Sequence, residues 1–208
     1  LLVLPRLPAS RSVSPVAMVS LLRQRLFAIG MAATTFAFMG QFSIFTYLRP
    51  YLEGIAGFDV NGLSLVLLGL GLAGLLGTVV SGFVLRSHLY PTLFALPAMM
   101  AVIALSLIGL SWLQWATAAL LVVWGFLANP IPVAWNTWMA RIIPNDLEAG
   151  GALQVALIQF AITFGAFTGG LLFDTVGWSS PFILGAVLLG VSALLTLAVV
   201  QAGNGAAR

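Results

Sequence analysis

Four side-chain amides, Gln41, Asn129, Asn136 and Gln159, stand inside otherwise apolar stretches of this sequence. An amide donates and accepts hydrogen bonds without carrying charge. Gln41 shares a helical face with Thr34, Phe38 and Phe45, at spacings of three and four residues. Asn129 and Asn136 bracket Pro130, Pro132 and Trp135. Gln159 shares a face with Ala152, Val155, Thr163 and Ala166, and Gln154 lies nearer the end of the same stretch. Polar groups in hydrocarbon are costly and tend to face protein or a water-filled path. Amides beside aromatic rings suit a neutral, hydrogen-bonding, ring-containing solute, because Trp and Phe stack on flat rings. The candidate cavity set is therefore Thr34, Phe38, Gln41, Phe45, Asn129, Trp135, Asn136, Val155, Gln159 and Thr163. The competing use of each amide is as glue between helices.

Other chemistries find little support. Gly69, Gly71 and Gly74 spell G-x-G-x-x-G, the dinucleotide-binding pattern, but that loop must join a strand to a helix and be followed by an acid. Here apolar residues run on both sides and "LLGTVVSGFVLRSHLYP" holds no carboxylate. Neither H-E-x-x-H nor G-x-S-x-G occurs, and Ser111 of "GLSW" has no histidine within an apolar stretch to activate it. No enzyme, cofactor or metal site is expected. His88 reads as a solvated loop residue. The carboxylates Glu53, Asp59, Asp146, Glu148 and Asp174 all fall near the ends of apolar stretches. A buried proton-carrying acid, common in proton-coupled transport, is not evident.

Composition names the solvent. Of 208 residues 61% are hydrophobic and 6% charged, against roughly 25% charged in soluble domains. The mean hydropathy is +1.12, so the expected class is an all-α membrane protein. There is no cysteine. The positive charges are eight scattered arginines, not a stripe, and nucleic acid is an unexpected partner.

A membrane helix needs about 20 apolar residues. Six stretches qualify, at about 26–48, 62–85, 91–110, 114–137, 150–173 and 180–201. Asp59 or Asn61 is placed to cap the second, "SHLYP" to separate the second from the third, Asn145 with Glu148 to form a capping box before the fifth, and Pro181 to open the sixth. Residues 1–25 read as the end of a preceding apolar segment, a loop and a short interfacial helix that Ser14 caps and Pro15 opens; 202–208 read as a tail. With six alternating spans, Arg6, Arg11, Arg23, Arg25, Arg86, Arg141 and Arg208 fall on one side and Arg49 on the other. Positive charge marks the cytoplasm, so both termini are expected there. The start at Leu1 suggests a piece of a longer chain.

Glycine supplies the expected glue, since close backbone approach drives helix packing in lipid. Gly74, Gly77, Thr78 and Ser81 form small-residue faces in the second span; Gly165, Gly169 and Gly170 do so in the fifth. The device recurs three spans apart, which suggests a three-plus-three internal repeat.

Two stretches, "GQFSIFTYLRPYLEGIAGFDVNGLSLVLLGLGLAG" (40–74) and "WNTWMARIIPNDLEAGGALQVALIQFAITFGAFTGGLLFDTVGW" (135–178), carry a resemblance. The chain resembles the carboxy-terminal half of a major facilitator superfamily transporter of the drug:proton antiporter branch. Within that branch it is most similar to bacterial purine ribonucleoside efflux pumps, and next to sugar-efflux relatives. The resemblance implies six of twelve spans, a missing amino-terminal six-helix half as partner, and a location in the bacterial inner membrane. It also implies alternating access, with purine nucleosides leaving as protons enter. Drug or sugar efflux is the alternative within the superfamily; a stand-alone six-span scaffold or pore subunit is the alternative outside it. One departure stands out: the superfamily's G-x-x-x-D-R/K-x-G-R/K loop motif starts at Gly82, but Arg86 holds the Asp position and Leu89 the second glycine position.

Overall fold

The computed structural model describes residues 15–206. Among the described residues there are eight helices and no strand: α1 (Pro15–Leu21), α2 (Arg25–Phe45), α3 (Leu48–Gly54), α4 (Val60–Gly109), α5 (Gln114–Ala128), α6 (Pro130–Ile142), α7 (Leu147–Thr175) and α8 (Ser180–Ala206). The G-x-G-x-x-G stretch lies inside α4, which excludes a strand-to-helix phosphate loop. Residues 1–14 and 207–208, with Arg6, Arg11, Ser14 and Arg208, lie outside the described residues.

Among the described residues, five segments are long and apolar enough to cross a membrane: Arg25–Gly54, Val60–Gly109, Gln114–Ile142, Leu147–Thr175 and Ser180–Gln201. Helix α4 has 50 residues, which at 1.5 Å each is about 75 Å, more than twice the hydrocarbon thickness. It folds back on itself. The Gln114 side-chain amide, just beyond its end, donates to the Gly57 carbonyl, just before its start, at 2.7 Å. The Tyr51 hydroxyl likewise donates to Leu107 O at 2.7 Å. Both ends of α4 therefore lie together, and the helix makes two antiparallel arms. The reversal is at His88, whose φ of −127° and ψ of 42° are non-helical. Pro91 explains the position: it has no N–H for the Ser87 carbonyl, and it is tolerated only in the first turn of the returning arm. Thr92 Oγ1 then donates to His88 O at 2.7 Å. The expected separate loop "SHLYP" is thus replaced by a break at one residue.

Asp59 caps α4, accepting from Gly62 N at 2.9 Å. The expected Asn145–Glu148 capping box is absent. The N-cap of α7 is Asp146, one residue later, without a side-chain cap bond, which puts Glu148 in the first turn instead of at the box position. Pro181 does sit in the first turn of α8. Asn129, in αR geometry, joins α5 to α6, and Pro130 cannot donate to the Phe126 carbonyl.

Backbone approach at glycine holds the bundle. A Cβ at Gly77 would overlap the Phe126 carbonyl, and one at Gly125 the Leu70 carbonyl, so the first arm of α4 lies directly on α5. Gly165 meets Met39 O and Gly169 meets Ser43 O, so α7 lies on α2 in the same way. Gly40 and Gly185 bring α2 against α8, where Ser192 Oγ donates to Ala33 O at 2.8 Å. Gly30 leaves the space that the Trp138 ring fills. Phe27, Tyr51, Trp124, Trp135, Trp138 and Phe182 are the largest fully buried side chains.

The two ends of the bundle differ. Arg23, Arg25, Arg86 and Arg141 gather at the His88 end, where Arg141 donates to Leu85 O at 3.4 Å. Arg49 is at the other end, paired with Glu53 at 3.0 Å. Trp112 and Trp115 are exposed there, as amphipathic rings at a membrane interface would be.

Gly77→Val should lower the unfolding free energy of the purified protein by about 1–3 kcal/mol, because the helices must separate. Gly71 has nothing within 4 Å of an added Cβ. Gly71→Ala should be neutral or stabilising by up to about 1 kcal/mol. Denaturation of the two variants in one detergent checks the contrast; equal effects would remove Gly77 from its packing role.

Candidate solute-facing wall

The sequence candidates separate by depth. On α2 the face of Thr34, Phe38, Gln41 and Phe45 runs from covered to open: Thr34 is 1% exposed, Phe38 7%, Gln41 half-buried and Phe45 42% exposed. Thr34 Oγ1 is spent on its own helix, donating to Gly30 O at 2.9 Å. Phe38 stacks on Phe42, which meets Phe45 edge-on. The Gln41 side-chain oxygen is buried without a hydrogen-bond partner.

On α5 and α6, Asn129 and Asn136 are exposed and lie seven residues apart, hence on one side of the broken helix. The Asn129 amide also covers Gly74 of α4, so this residue belongs both to the open face and to the glycine seam. Trp135 is buried and meets Trp138 edge-on at 5.4 Å between ring centroids. Thr34, Phe38 and Trp135 therefore pack within this bundle, behind the exposed candidates.

On α7, Val155, Gln159 and Thr163 are exposed. Thr163 Oγ1 donates to Gln159 O at 2.9 Å. The same open side carries Phe160, Phe164 and Phe167, which the amide-centred reading of the sequence omitted. Phe160 and Phe164 stack at 5.6 Å, and with Thr163 and Phe167 they line an apolar groove of about 230 Å³. Their i, i+4, i+7 spacing was the signal that could have found them. Among the described residues no hydrogen bond joins the amides of different helices.

The packing candidates fall along two seams. Gly74 and Gly77 face the α5–α6 segment; Gly165, Gly169 and Gly170 face α2 and Tyr47. Tyr47 rests against Gly169 and Gly170, stacks on Phe173 at 5.4 Å and donates to Ala166 O at 2.8 Å. Thr78 is exposed and returns its hydroxyl to Gly74 O; Ser81 is buried and bonds Thr78 O.

The carboxylates sit at helix ends, and no group of three or more metal-ligating side chains occurs among the described residues. His88 is exposed, with Nδ1 2.8 Å from Ser87 Oγ.

Besides the Gln41 acceptor, two donors, Gln154 Nε2 and Trp138 Nε1, are buried and unpartnered. An unpaired buried donor costs roughly 1–3 kcal/mol. Gln154→Leu should therefore leave stability unchanged or raise it, whereas Tyr47→Phe should lose about 1 kcal/mol with its bond to Ala166 O. Thermal unfolding of both variants tests the pair. A marked loss in Gln154→Leu would mean that this amide has a partner it depends on.

No protein-family model matches the chain. It is similar to the transcription regulatory protein OpdE of Pseudomonas aeruginosa, with 43% identity over 178 residues, 86% of this chain and 44% of that protein. It is also similar to the purine ribonucleoside efflux pump NepI of Salmonella paratyphi C, with 40% identity over 198 residues, 95% of this chain and 50% of that protein. The pump of the same name in Salmonella enteritidis is 39% identical over the same shares. The chain spans about half the length of the curated relatives it matches. The long apolar helices and the similarity to named efflux pumps fit a membrane protein.

Proposed function

We propose that the chain is the carboxy-terminal half of a major facilitator superfamily exporter. Its partner is an amino-terminal six-helix half, and the two close around a solute at mid-membrane and rock to alternate access. The solute is a purine ribonucleoside and the driving force is proton entry. The carrying observation is the set of amides, Asn129, Asn136 and Gln159, exposed on helices that are otherwise apolar. Exposed to lipid they would be costly; facing a second half across a wet cavity they read the donors and acceptors of a base and ribose. Gln41 and Phe45 extend that wall along α2, and Val155 and Thr163 along α7. Thr34, Phe38 and Trp135 hold its shape from behind. Similarity to proteins named as nucleoside pumps supports the same solute class.

The exchange of seams supports a three-plus-three repeat. The second span lays its glycines on the fourth, and the fifth lays its glycines on the first. Shifting each span by three converts one contact into the other. In this reading the arginine-rich end is cytoplasmic in a bacterial inner membrane. The proton carrier belongs to the amino-terminal half, since the carboxylates among the described residues stand at helix ends.

Cells expressing the full-length protein should survive toxic purine nucleoside analogues that kill cells without it. Gln41→Ala and Asn136→Ala should each lower that protection about fivefold, for roughly 1 kcal/mol of lost hydrogen bonding. No protection by the full-length protein would remove the nucleoside assignment, and unchanged protection in both variants would remove these two wall residues. The absence of cysteine makes orientation testable. Single cysteines at Arg86 and Arg141 should react with an impermeant maleimide only from the cytoplasmic side, and one at Trp112 only from outside. Labelling of Arg86→Cys and Trp112→Cys from one side would overturn the six-pass topology.

A further inference from the structure

At the arginine-rich end, α1 and α2 meet in an elbow. Its turn is held by Leu22 N to Val19 O and Arg23 N to Ser20 O, both 3.1 Å, and Gln24 N to Leu21 O, 3.0 Å. Leu21, 4% exposed, ties the elbow into the core, and α1 packs on α7. The outer side combines two chemistries. Val19 is 62% and Leu22 39% exposed, and Arg23 and Arg25 are exposed beside them. A groove of about 400 Å³ has Pro15, Val19, Ser20 and Arg23 among its lining residues. Among the described residues no carboxylate pairs with either arginine; the ion pair is Arg49–Glu53, at the opposite end. From Arg25 onward α2 is apolar at once, with Leu26 and Phe27. Both guanidinium groups therefore stand where a hydrocarbon-crossing helix begins.

We propose that this elbow is a binding site for the headgroup of an anionic phospholipid. Arg23 and Arg25 hold the phosphate through paired N–H donors, and Val19 and Leu22 lie along the upper acyl chain. Charge complementarity selects the anionic lipid, and the exposed aliphatic side chains select a lipid over a free phosphate. The inference rests on the chain's being a membrane protein and not on which solute is exported. Because α1 leans on α7, the lipid would brace the helix that carries Gln159 and Thr163.

Native mass spectrometry of the purified chain, titrated with phosphatidylglycerol or phosphatidylcholine, tests the site. The chain should retain phosphatidylglycerol preferentially. The double variant R23Q/R25Q should weaken that binding roughly 30-fold, the effect of two basic side chains near a membrane surface. R49Q, at the other end, should bind as the parent does, and millimolar inorganic phosphate should not compete. No preference in the parent chain, undiminished binding in R23Q/R25Q, or equal loss in R49Q would each overturn the site. Competition by inorganic phosphate would overturn the lipid as occupant. All three exchanged arginines are exposed, and circular dichroism of the variants verifies that helix content is kept.

Discussion

Contact of backbone on backbone, made possible by glycine, is the constraint on which the rest of the structure depends. In lipid an apolar side chain gains nothing by turning inward, so close packing must supply the association. Gly77 and Gly125 let the first arm of α4 rest on α5; Gly165 and Gly169 let α7 rest on α2. The first seam also accommodates a defect. Pro130 leaves the Phe126 carbonyl without its helical donor, and that carbonyl is the atom Gly77 packs against. The break at Asn129 is thus placed where a neighbouring backbone closes over it, as membrane depth requires.

The same seams leave other faces bare. In the most apolar window of α4 28% of residues are buried, and in that of α7 17%, the lowest values among the membrane-crossing segments. These two helices press one side against a neighbour and present the other outward. The outward side of α7 holds Gln159, Thr163 and the Phe160–Phe164 pair; that of α6 holds Asn136. In the proposed function such a face is one wall of a site that a second half completes.

The ends of the bundle carry a different division of labour. Tyr51, Trp178 and Phe182 form one aromatic cluster and Tyr47 stacks on Phe173 in another, with the Tyr51 and Tyr47 hydroxyls spent on backbone carbonyls. The turn at Gly57 needs glycine, since its φ is +72°. At the opposite end the exposed Arg23, Arg25, Arg86 and Arg141 stand around the buried, stacked rings of Phe27 and Trp138, and the α1–α2 elbow lies among them. Both ends are packed, but the exposed arginines gather at one, an asymmetry suited to a protein that must hold one orientation in a membrane.

Much of this was already present in the residue order. Apolar runs of about 20 residues could only be helices in lipid, because no other open structure satisfies its own backbone there. Local spacing offered Asp59 or Asn61 as the cap of α4, and the structure uses Asp59; spacing likewise fixes what one helix presents along one face. What tertiary structure alone decided was which neighbour covers each face. Thr34 and Phe38 share a face with Gln41 and Phe45, yet the first two are covered and Phe45 is open. Trp135 is buried beside the exposed Asn136, and Phe160 and Phe164 are open although apolar. In water the apolar stripe of a helix would have announced its buried side. In lipid both sides are apolar, so that contrast vanishes and only the arrangement of the helices separates core from wall. Local reading placed the reversal at "SHLYP"; only its form was left to the structure, a break at His88 within one continuous helix whose ends meet through Gln114 with Gly57 and Tyr51 with Leu107.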